Sequence, residues 1–406
     1  MSIGVLGMEG LKFLLSTTFY PPYHIGGDAV HVKYLAEELM RRGHEVHVLH
    51  SLDAYKVKRK SFPEKAEPDG VCTYAIKTRF YLSSYATYIL GNSSLIIKKF
   101  DELVNEIKPD VVHHHNISLL GYGLLKKRRR CVNLFTAHDY WLVCQQNNLL
   151  KNGSEICEGG SCFFCVLKCG RPLQVWRSFR SFKAAIKSID LIICPSNYVR
   201  RRLAREIDVK SVTLPNFVPS PPNNIPPARY SHYFLFVGML EMHKGILNLL
   251  ELFRELRCAI NAKLVVVGDG SLRNHVVDFI KRNSLSSFVS YAGVVNDKKL
   301  YSLYKNALAL IIPSICPENA PLAALEALSV GTPVTASNTG GLPEIVGKVD
   351  KKLIFNDWTE LKNILLGFSK SEFPPEKTKE VYEQNFSPDV YVDKYIAIIR
   401  ALSTIH

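Results

Sequence analysis

Six prolines fall in the thirteen residues 215–227 (PNFVPSPPNNIPP) and divide this 406-residue chain in two. Proline fixes φ and donates no backbone hydrogen bond, so the run reads as an extended linker. On either side of it, short apolar runs alternate with helical patterns. Before it, Lys12–Phe19 (KFLLSTTF) is a buried-strand run, and the turn-rich Tyr20–Gly27 follows. Val32, Leu35, Ala36, Leu39 and Met40 then share one helix face, Gly43 suits its end, and Glu45–Leu49 is the next strand. Asp110–His115, Asn133–His138 and Leu191–Cys194 are further strands. After the linker the strands are Tyr233–Val237, Lys263–Val267, Phe288–Tyr291, Ala309–Ile312 and Pro333–Ala336. Helices at Ile246–Leu256, Leu272–Arg282, Lys298–Lys305 and Pro321–Ser329 separate them. Such alternation builds parallel sheets covered on both faces. The expected class is α/β: two doubly wound, Rossmann-like domains facing a central cleft. Residues 1–214 form the first, with a cysteine-rich insertion at 144–170, and 230–385 the second; 215–229 link them. A helix within 386–406 is expected to pack back on the first domain.

Apolar residues at 47% and charged residues at 22% exclude a disordered or collagen-like chain. No apolar run approaches the ~20 residues of a membrane span. Glu9 and Lys12 interrupt the first apolar stretch, so no secretory signal is expected and a cytoplasmic setting with reduced thiols is. The charge is lopsided: residues 1–214 hold 31 Lys and Arg against 19 Asp and Glu, residues 215–406 hold 20 against 18. That surplus suits anionic lipid headgroups, a phosphorylated substrate or nucleic acid, and equally a solvated basic surface. No basic–aromatic motif of a known nucleic-acid reader is present, so no specific nucleic acid is expected.

The candidate chemistry lies where strands end. Gly26-Gly27 follows the first strand and opens the first helix, where a backbone can approach a phosphate; a plain turn explains it as well. It is not a G-x-G-x-x-G, so no nicotinamide site is indicated. In Ser314–Pro343, Glu318 precedes a helix and Glu326 lies on it, eight residues later. Glu326 sits among Leu322, Ala323, Ala324, Leu325, Ala327 and Leu328, so the helix should be buried and the carboxylate should need partners. Sugar hydroxyls would serve; so would a cap or a salt bridge. His113, His114 and His115 alternate across a strand, which suits packing or cleft lining better than metal binding. No Asp-x-Asp occurs, so no catalytic metal is expected.

Five cysteines, Cys144, Cys157, Cys162, Cys165 and Cys169, crowd one Gly-containing loop. Four thiolates suit tetrahedral zinc or an iron–sulfur cluster, although the spacing is not that of a zinc ribbon. A structural zinc on Cys157, Cys162, Cys165 and Cys169, with Cys144 as substitute, is the expectation; unliganded thiols are the alternative. Phe80–Leu90 and the basic run Lys126–Arg130 together suit a lipid-phosphate acceptor at a membrane surface, or a core helix beside a solvated loop.

Ordered pieces along most of the chain resemble glycosyltransferase family 4, retaining enzymes of the GT-B fold. They are GGDAVHVKYLAEELMRRGHEVHV at 26–48, KPDVVHHHN at 108–116, TAHDYW at 136–141, PSNYVRRRL at 195–203, LPNFV at 214–218, FVGMLEMHKG at 236–245, VVVGDG at 265–270, and the Glu318–Glu326 region. The resemblance extends to the subset with cysteines after HDYW. It implies a UDP- or GDP-sugar donor whose ribose Glu326 binds and whose transferred sugar Glu318 and His138 touch. It implies that Asn319, Ala320, Pro321 and Leu322 line the sugar–phosphate pocket. Lys244 would clamp the pyrophosphate, and Gly26 and Gly27 would approach it from the other domain. The acceptor would be a hydroxyl of a glycan or lipid-linked molecule, met in the cytoplasm or at the inner face of the membrane. A nucleotide-sugar epimerase or hydrolase of the same fold, and a non-catalytic metal-stabilised binding protein, are the competing readings. One position departs from the family: Met239 stands where an arginine usually completes the pyrophosphate clamp. Met239→Arg should therefore tighten donor binding by roughly 1 kcal/mol, the scale of a charge-assisted hydrogen bond. Titration calorimetry with the nucleotide sugar checks this; unchanged affinity would mean that another cation already fills the place.

Overall fold

The computed structural model describes residues 10–58, 70–78, 83–128, 131–153, 155–159 and 162–403. The first half runs β1 (Lys12–Ser16), α1 (Gly27–Arg41), β2 (Glu45–Ser51), α2 (Leu52–Lys58), β3 (Cys72–Ile76), α3 (Ser83–Leu90), α4 (Ser94–Ile107), β4 (Val111–His114) and β5 (Val132–Thr136). A hairpin, β6 (Leu150–Lys151) and β7 (Glu155–Ile156), and α5 (Cys162–Lys168) form the cysteine-rich insertion. Then come α6 (Arg180–Lys187), β8 (Leu191–Cys194), α7 (Asn197–Ala204) and β9 (Ser211–Thr213). Residues 214–232 carry no regular element, as the prolines require.

The second half runs β10 (Tyr233–Val237), α8 (Ile246–Leu256), β11 (Lys263–Val267), α9 (Arg273–Arg282), β12 (Val289–Gly293), α10 (Asp297–Asn306), β13 (Leu310–Ile312), α11 (Leu322–Ser329) and β14 (Val334–Ser337). It continues with α12 (Leu342–Val346), β15 (Ile354–Phe355), α13 (Trp358–Leu366), α14 (Pro375–Asn385) and α15 (Pro388–Ser403).

Two all-parallel sheets result. One has the order β3-β2-β1-β4-β5-β8-β9, the other β12-β11-β10-β13-β14-β15. In each, the order reverses beside the first strand, between β1 and β4 and between β10 and β13. At such switch points the connections leave to opposite faces and open a crevice at the carboxyl ends. Alternation splits the strands between two cores: Leu14 packs with Phe100 and Phe135, while Phe13 and Leu15 pack with Leu35 and Leu39 of α1. The latter core also takes Tyr391, Tyr395, Ile396 and Ile399, so α15 crosses back and covers the first domain. Arg41 and Arg42 of α1 hold Asp389 of α15 at 3.0 and 2.8 Å.

β1 ends at Ser16, three residues before the expected strand end. The amides of Thr17 and Thr18 turn instead to the carbonyls of Leu49 and Asn116. Two glycines shape the cleft edge of the second domain. Gly245 has φ +73° and Gly268 φ +132°; a Cβ would lie 2.0 Å from the Pro313 carbonyl oxygen in one and 1.9 Å from that of Gly238 in the other. The basic run is partly neutralised, because Lys127 pairs with Asp190 at 2.8 Å and Arg128 with Asp101 at 2.7 Å. Arg129, Arg130 and Phe80–Leu82 lie outside the described residues.

Candidate active site

The site residues sit on the segments leaving the two switch points. The turn after β13 carries Glu318, which accepts a hydrogen bond from Ser314 Oγ at 2.6 Å and pairs with the ammonium of Lys244, on the turn after β10. Burial raises the Glu318 carboxyl, but Lys244 and Ser314 outweigh it and hold it below the usual range. Burial likewise opposes the Lys244 charge, and Glu318 reverses that and raises its pKa. Both stay ionised. The two residues given separate roles by the family resemblance are thus one electrostatic unit.

Glu326 lies one turn into α11, half-buried, and accepts the hydroxyl hydrogen of Tyr304 at 2.8 Å. Burial pushes its pKa up to about 7. Tyr34 of α1, from the other domain, is close enough for its own hydroxyl to feel that carboxylate.

The domains meet through backbone groups. Asn319 Nδ2 donates to the Ala137 carbonyl at 3.0 Å, and Asn216 Nδ2 to that of Ala320 at 2.9 Å. Glu344 of α12 accepts from the amides of Asn197 and Tyr198 at the start of α7, both at 2.8 Å. Gly27 opens α1 directly opposite Leu322, which opens α11; a Cβ on Gly27 would lie 3.5 Å from Leu322 Cγ. Two helix N-termini therefore converge with Lys244 around the cleft; in α1 the Asp28 carboxyl accepts from the amides of Asp28 and Ala29, whereas no side chain caps α11. Gly26 holds φ +88° at the start of α1, and Pro321 precedes α11.

His138 follows β5 and shares a 2.9 Å hydrogen bond, Nε2 to Nδ1, with His115. Burial drives its pKa down to about 3, so its imidazole is neutral near pH 7. His113 reaches Tyr395 and Thr136, both at 2.8 Å, whereas His114 turns to Ser16 on the opposite face, at 2.7 Å. Beside His138, burial lifts Asp139 to about 7, and Asp28 pushes the same way. Asp28 in turn accepts from Asn116 Nδ2 at 2.8 Å. Sequence reasoning missed Tyr304, Tyr34, Ser314, Asp28, Asn116 and Asp139. Each stands alone in its segment, and only the Asp in GGD and in HDYW hinted at a role.

Met239 is 40% exposed at the cleft end of β10. The nearby His243 is lowered by burial, by Lys244 and, from the insertion, by Arg171. Cys144, Cys157, Cys162 and Cys165 line one small cavity, which Cys169 does not. This differs from the expected ligand set for a geometric reason. Cys162 and Cys165 lie three apart on α5, while Cys169 falls a turn further on, past the helix end. All ten cysteines are free, and among the described residues no three His, Cys, Asp or Glu side chains are placed to hold a metal.

Fold and cleft define a two-domain α/β protein with buried charged groups gathered between its two parallel sheets. Residues 25–220 match the family model described as Glycosyltransferase Family 4, and residues 224–385 the one described as Glycosyl transferases group 1. The chain belongs to the family 4 glycosyltransferases of GT-B fold and is a hexosyltransferase-type enzyme. An uncharacterized glycosyltransferase of Methanocaldococcus jannaschii is 28% identical over 83% of this chain and 83% of its own. Sucrose-phosphate synthase from Thermosynechococcus elongatus superposes with TM-score 0.71 at 18% identity, covering 98% of this chain and 100% of that one. Anabaena HepE, solved in complex with UDP and glucose, does so with TM-score 0.67 at 15% identity, covering 96% and 100%.

Sugar-ring hydroxyls donate best to an ionised carboxylate. Glu326 is protonated in the fold below about pH 7, so donor affinity should rise with pH and level off above that value. Glu326→Gln should bind the donor more weakly and without this pH dependence. Nucleotide-sugar affinity measured from pH 5.5 to 8.5 checks both; a flat wild-type profile would remove Glu326 from the donor site.

Proposed function

We propose that the enzyme moves a hexose from UDP- or GDP-sugar to a hydroxyl of a glycan or lipid-linked acceptor, with retention at the anomeric carbon. The observation that carries this reading is the Lys244–Glu318 pair, whose Glu318 lies on the segment that leads to Leu322, which itself meets the Gly27 helix start of the other domain. In the site, Lys244 and the start of α11 hold the leaving diphosphate. Charge developing on that group is met by a preorganised cation and helix N–H groups, without solvent rearrangement. Glu326 binds the ribose, and Asn319, Ala320, Pro321 and Leu322 line the pocket. Neutral His138 orients the transferred sugar by hydrogen bonding rather than as an acid. The acceptor hydroxyl attacks from the face that the diphosphate leaves, and a diphosphate oxygen takes its proton. Glu318 is occupied by Lys244 and Ser314, which favours positioning over a covalent role. UDP in the Anabaena structure favours uridine as the base.

We also propose that the insertion holds a structural zinc, with Cys144, Cys157, Cys162 and Cys165 as ligands once the sulfurs close around it. The Asn152 amide points at Cys165 Sγ at 3.5 Å and Gln146 Nε2 at 3.9 Å, contacts that fix this sulfur at the cavity. The proposed setting is the cytoplasm, at the inner face of the membrane; no helix among the described residues is long and apolar enough to span one.

A thermal-shift panel of nucleotide sugars should single out one donor. A ligand at ~100 times its dissociation constant adds ~2.7 kcal/mol. NMR of the product should then show the donor's anomeric configuration and dependence on added acceptor. Free sugar or an epimer as sole product would favour the hydrolase or epimerase reading. Protein purified without added metal should carry about one zinc, removed on chelation with loss of thermal stability. Less than ~0.2 equivalents, with all thiols titrating freely, would rule the site out.

A further inference from the structure

Residues 159–189 contain no Asp or Glu but six basic side chains: Lys168, Arg171, Arg177, Arg180, Lys183 and Lys187. Arg177 is consumed internally, bonded to the Trp141 carbonyl at 2.6 Å and lying over the Trp176 ring at 4.8 Å. The other five are exposed. The same stretch exposes large apolar groups: Phe163, Phe164 and Leu167 of α5 are 50%, 67% and 51% exposed, and Val175 and Phe179 are 63% and 52%. The apolar side of α5 is built from neighbours at i, i+1 and i+4, with Phe163 and Phe164 edge to face at 5.3 Å.

The insertion and the segment Arg171–Gln174 are gathered on Gln145–Gln146, and Arg180 and Lys183 follow that segment on α6. Gln146 Nε2 donates to the Cys165 carbonyl at 3.3 Å, and Arg171 to the Gln146 carbonyl at 3.3 Å. The Gln174 amide donates to Gln145 Oε1 at 3.0 Å, and Tyr88 of α3 to the Gln145 carbonyl at 3.4 Å. Trp176 Nε1 joins the Tyr88 carbonyl at 3.2 Å, which brings exposed Tyr85 and Leu90 to the same side. The loop bearing Gln145 leaves the strand that presents His138 and Asp139 to the cleft.

Exposed aromatics flanked by lysine and arginine match the headgroup zone of an anionic bilayer. There apolar tips enter the acyl boundary and cations remain at the phosphates. We propose that this face, with Phe163, Phe164 and Leu167 at its tip and Lys168, Arg180 and Lys183 around it, docks the enzyme on anionic lipid; Lys187, at the far end of α6, instead shares a cavity with Asp190 and Asp208. It deepens the membrane-side reading above and moves the contact away from Lys126–Arg130, where Lys127 and Arg128 already face Asp190 and Asp101. Docking would turn the acceptor side of the cleft toward a lipid-linked substrate.

The test is co-sedimentation of the full chain with vesicles of phosphatidylcholine and phosphatidylglycerol, against phosphatidylcholine alone. Wild type should be retained on the anionic vesicles only and released by high salt. Phe163→Ser with Phe164→Ser should lower the partition coefficient about tenfold or more. Each of Lys168→Gln, Arg180→Gln and Lys183→Gln should lower it about fivefold. All variants should keep the nucleotide-induced thermal shift, which verifies the fold and the donor site. As a second measurement, Phe164→Trp fluorescence should be quenched by brominated acyl chains. No retention of wild type, or equal retention of the aromatic variants, overturns the proposal. So does capture of an oligonucleotide at physiological salt without vesicle retention. Vesicle binding without sugar transfer would instead sink the proposed reaction and leave this face standing.

Discussion

Parallel strands all end at one edge of their sheet, and a crevice opens where neighbouring strands send their connections to opposite faces. This protein has that arrangement twice, at β1–β4 and β10–β13, and nearly every group at the cleft depends on it. The β1 connection delivers Gly26, Gly27 and Asp28, and β4 delivers His115 and Asn116. From the second sheet β10 delivers Lys244, and β13 delivers Glu318 through Leu322. Because α1 and α11 each begin at such an edge, their N-termini meet across the cleft. A Cβ at position 27 would be in ordinary contact with Leu322, 3.5 Å from its Cγ, so the two helix starts lie within a side chain of each other.

Once the sheets face each other, low dielectric decides the charge states. Lys244 and Glu318 stay ionised because each compensates the other's desolvation. Glu326 has only a phenol for a partner, so burial carries it toward neutrality. His138 bonds another imidazole rather than an anion, and burial holds it neutral. A single buried environment thus produces a fixed cation, a fixed anion, a carboxyl poised near neutrality and an uncharged hydrogen-bonding ring.

The last helix and the insertion are tied to this machinery from outside it. Tyr395 of α15 reaches His113, whose ring lies 4.0 Å from that of His115, which holds His138. A helix that follows the second domain therefore supports the buried histidine cluster of the first. The insertion is anchored just beyond His138 and Asp139, so its exposed aromatics are positioned relative to that cluster.

The order of strands and helices, the proline break between the halves and the polar residues at strand ends were legible in the sequence. They depend on hydrophobic period and backbone chemistry, which are local. Glu326 was recognisable as a carboxylate in an apolar helix. Its partner Tyr304 was not, because the two lie on different helices and meet only when α10 packs on α11. Likewise the spacing of Cys162, Cys165 and Cys169 favoured the last as a ligand, whereas the fold brings in Cys144 from before the hairpin. Lys244 and Glu318 could each be assigned a role from their segments, but their pairing needs β10 and β13 side by side. Sequence determined which groups are available and on which kind of element, since periodicity and propensity act over a few residues. Tertiary structure alone decided which groups share a desolvated space, because contact and burial are set by chain segments far apart in the sequence.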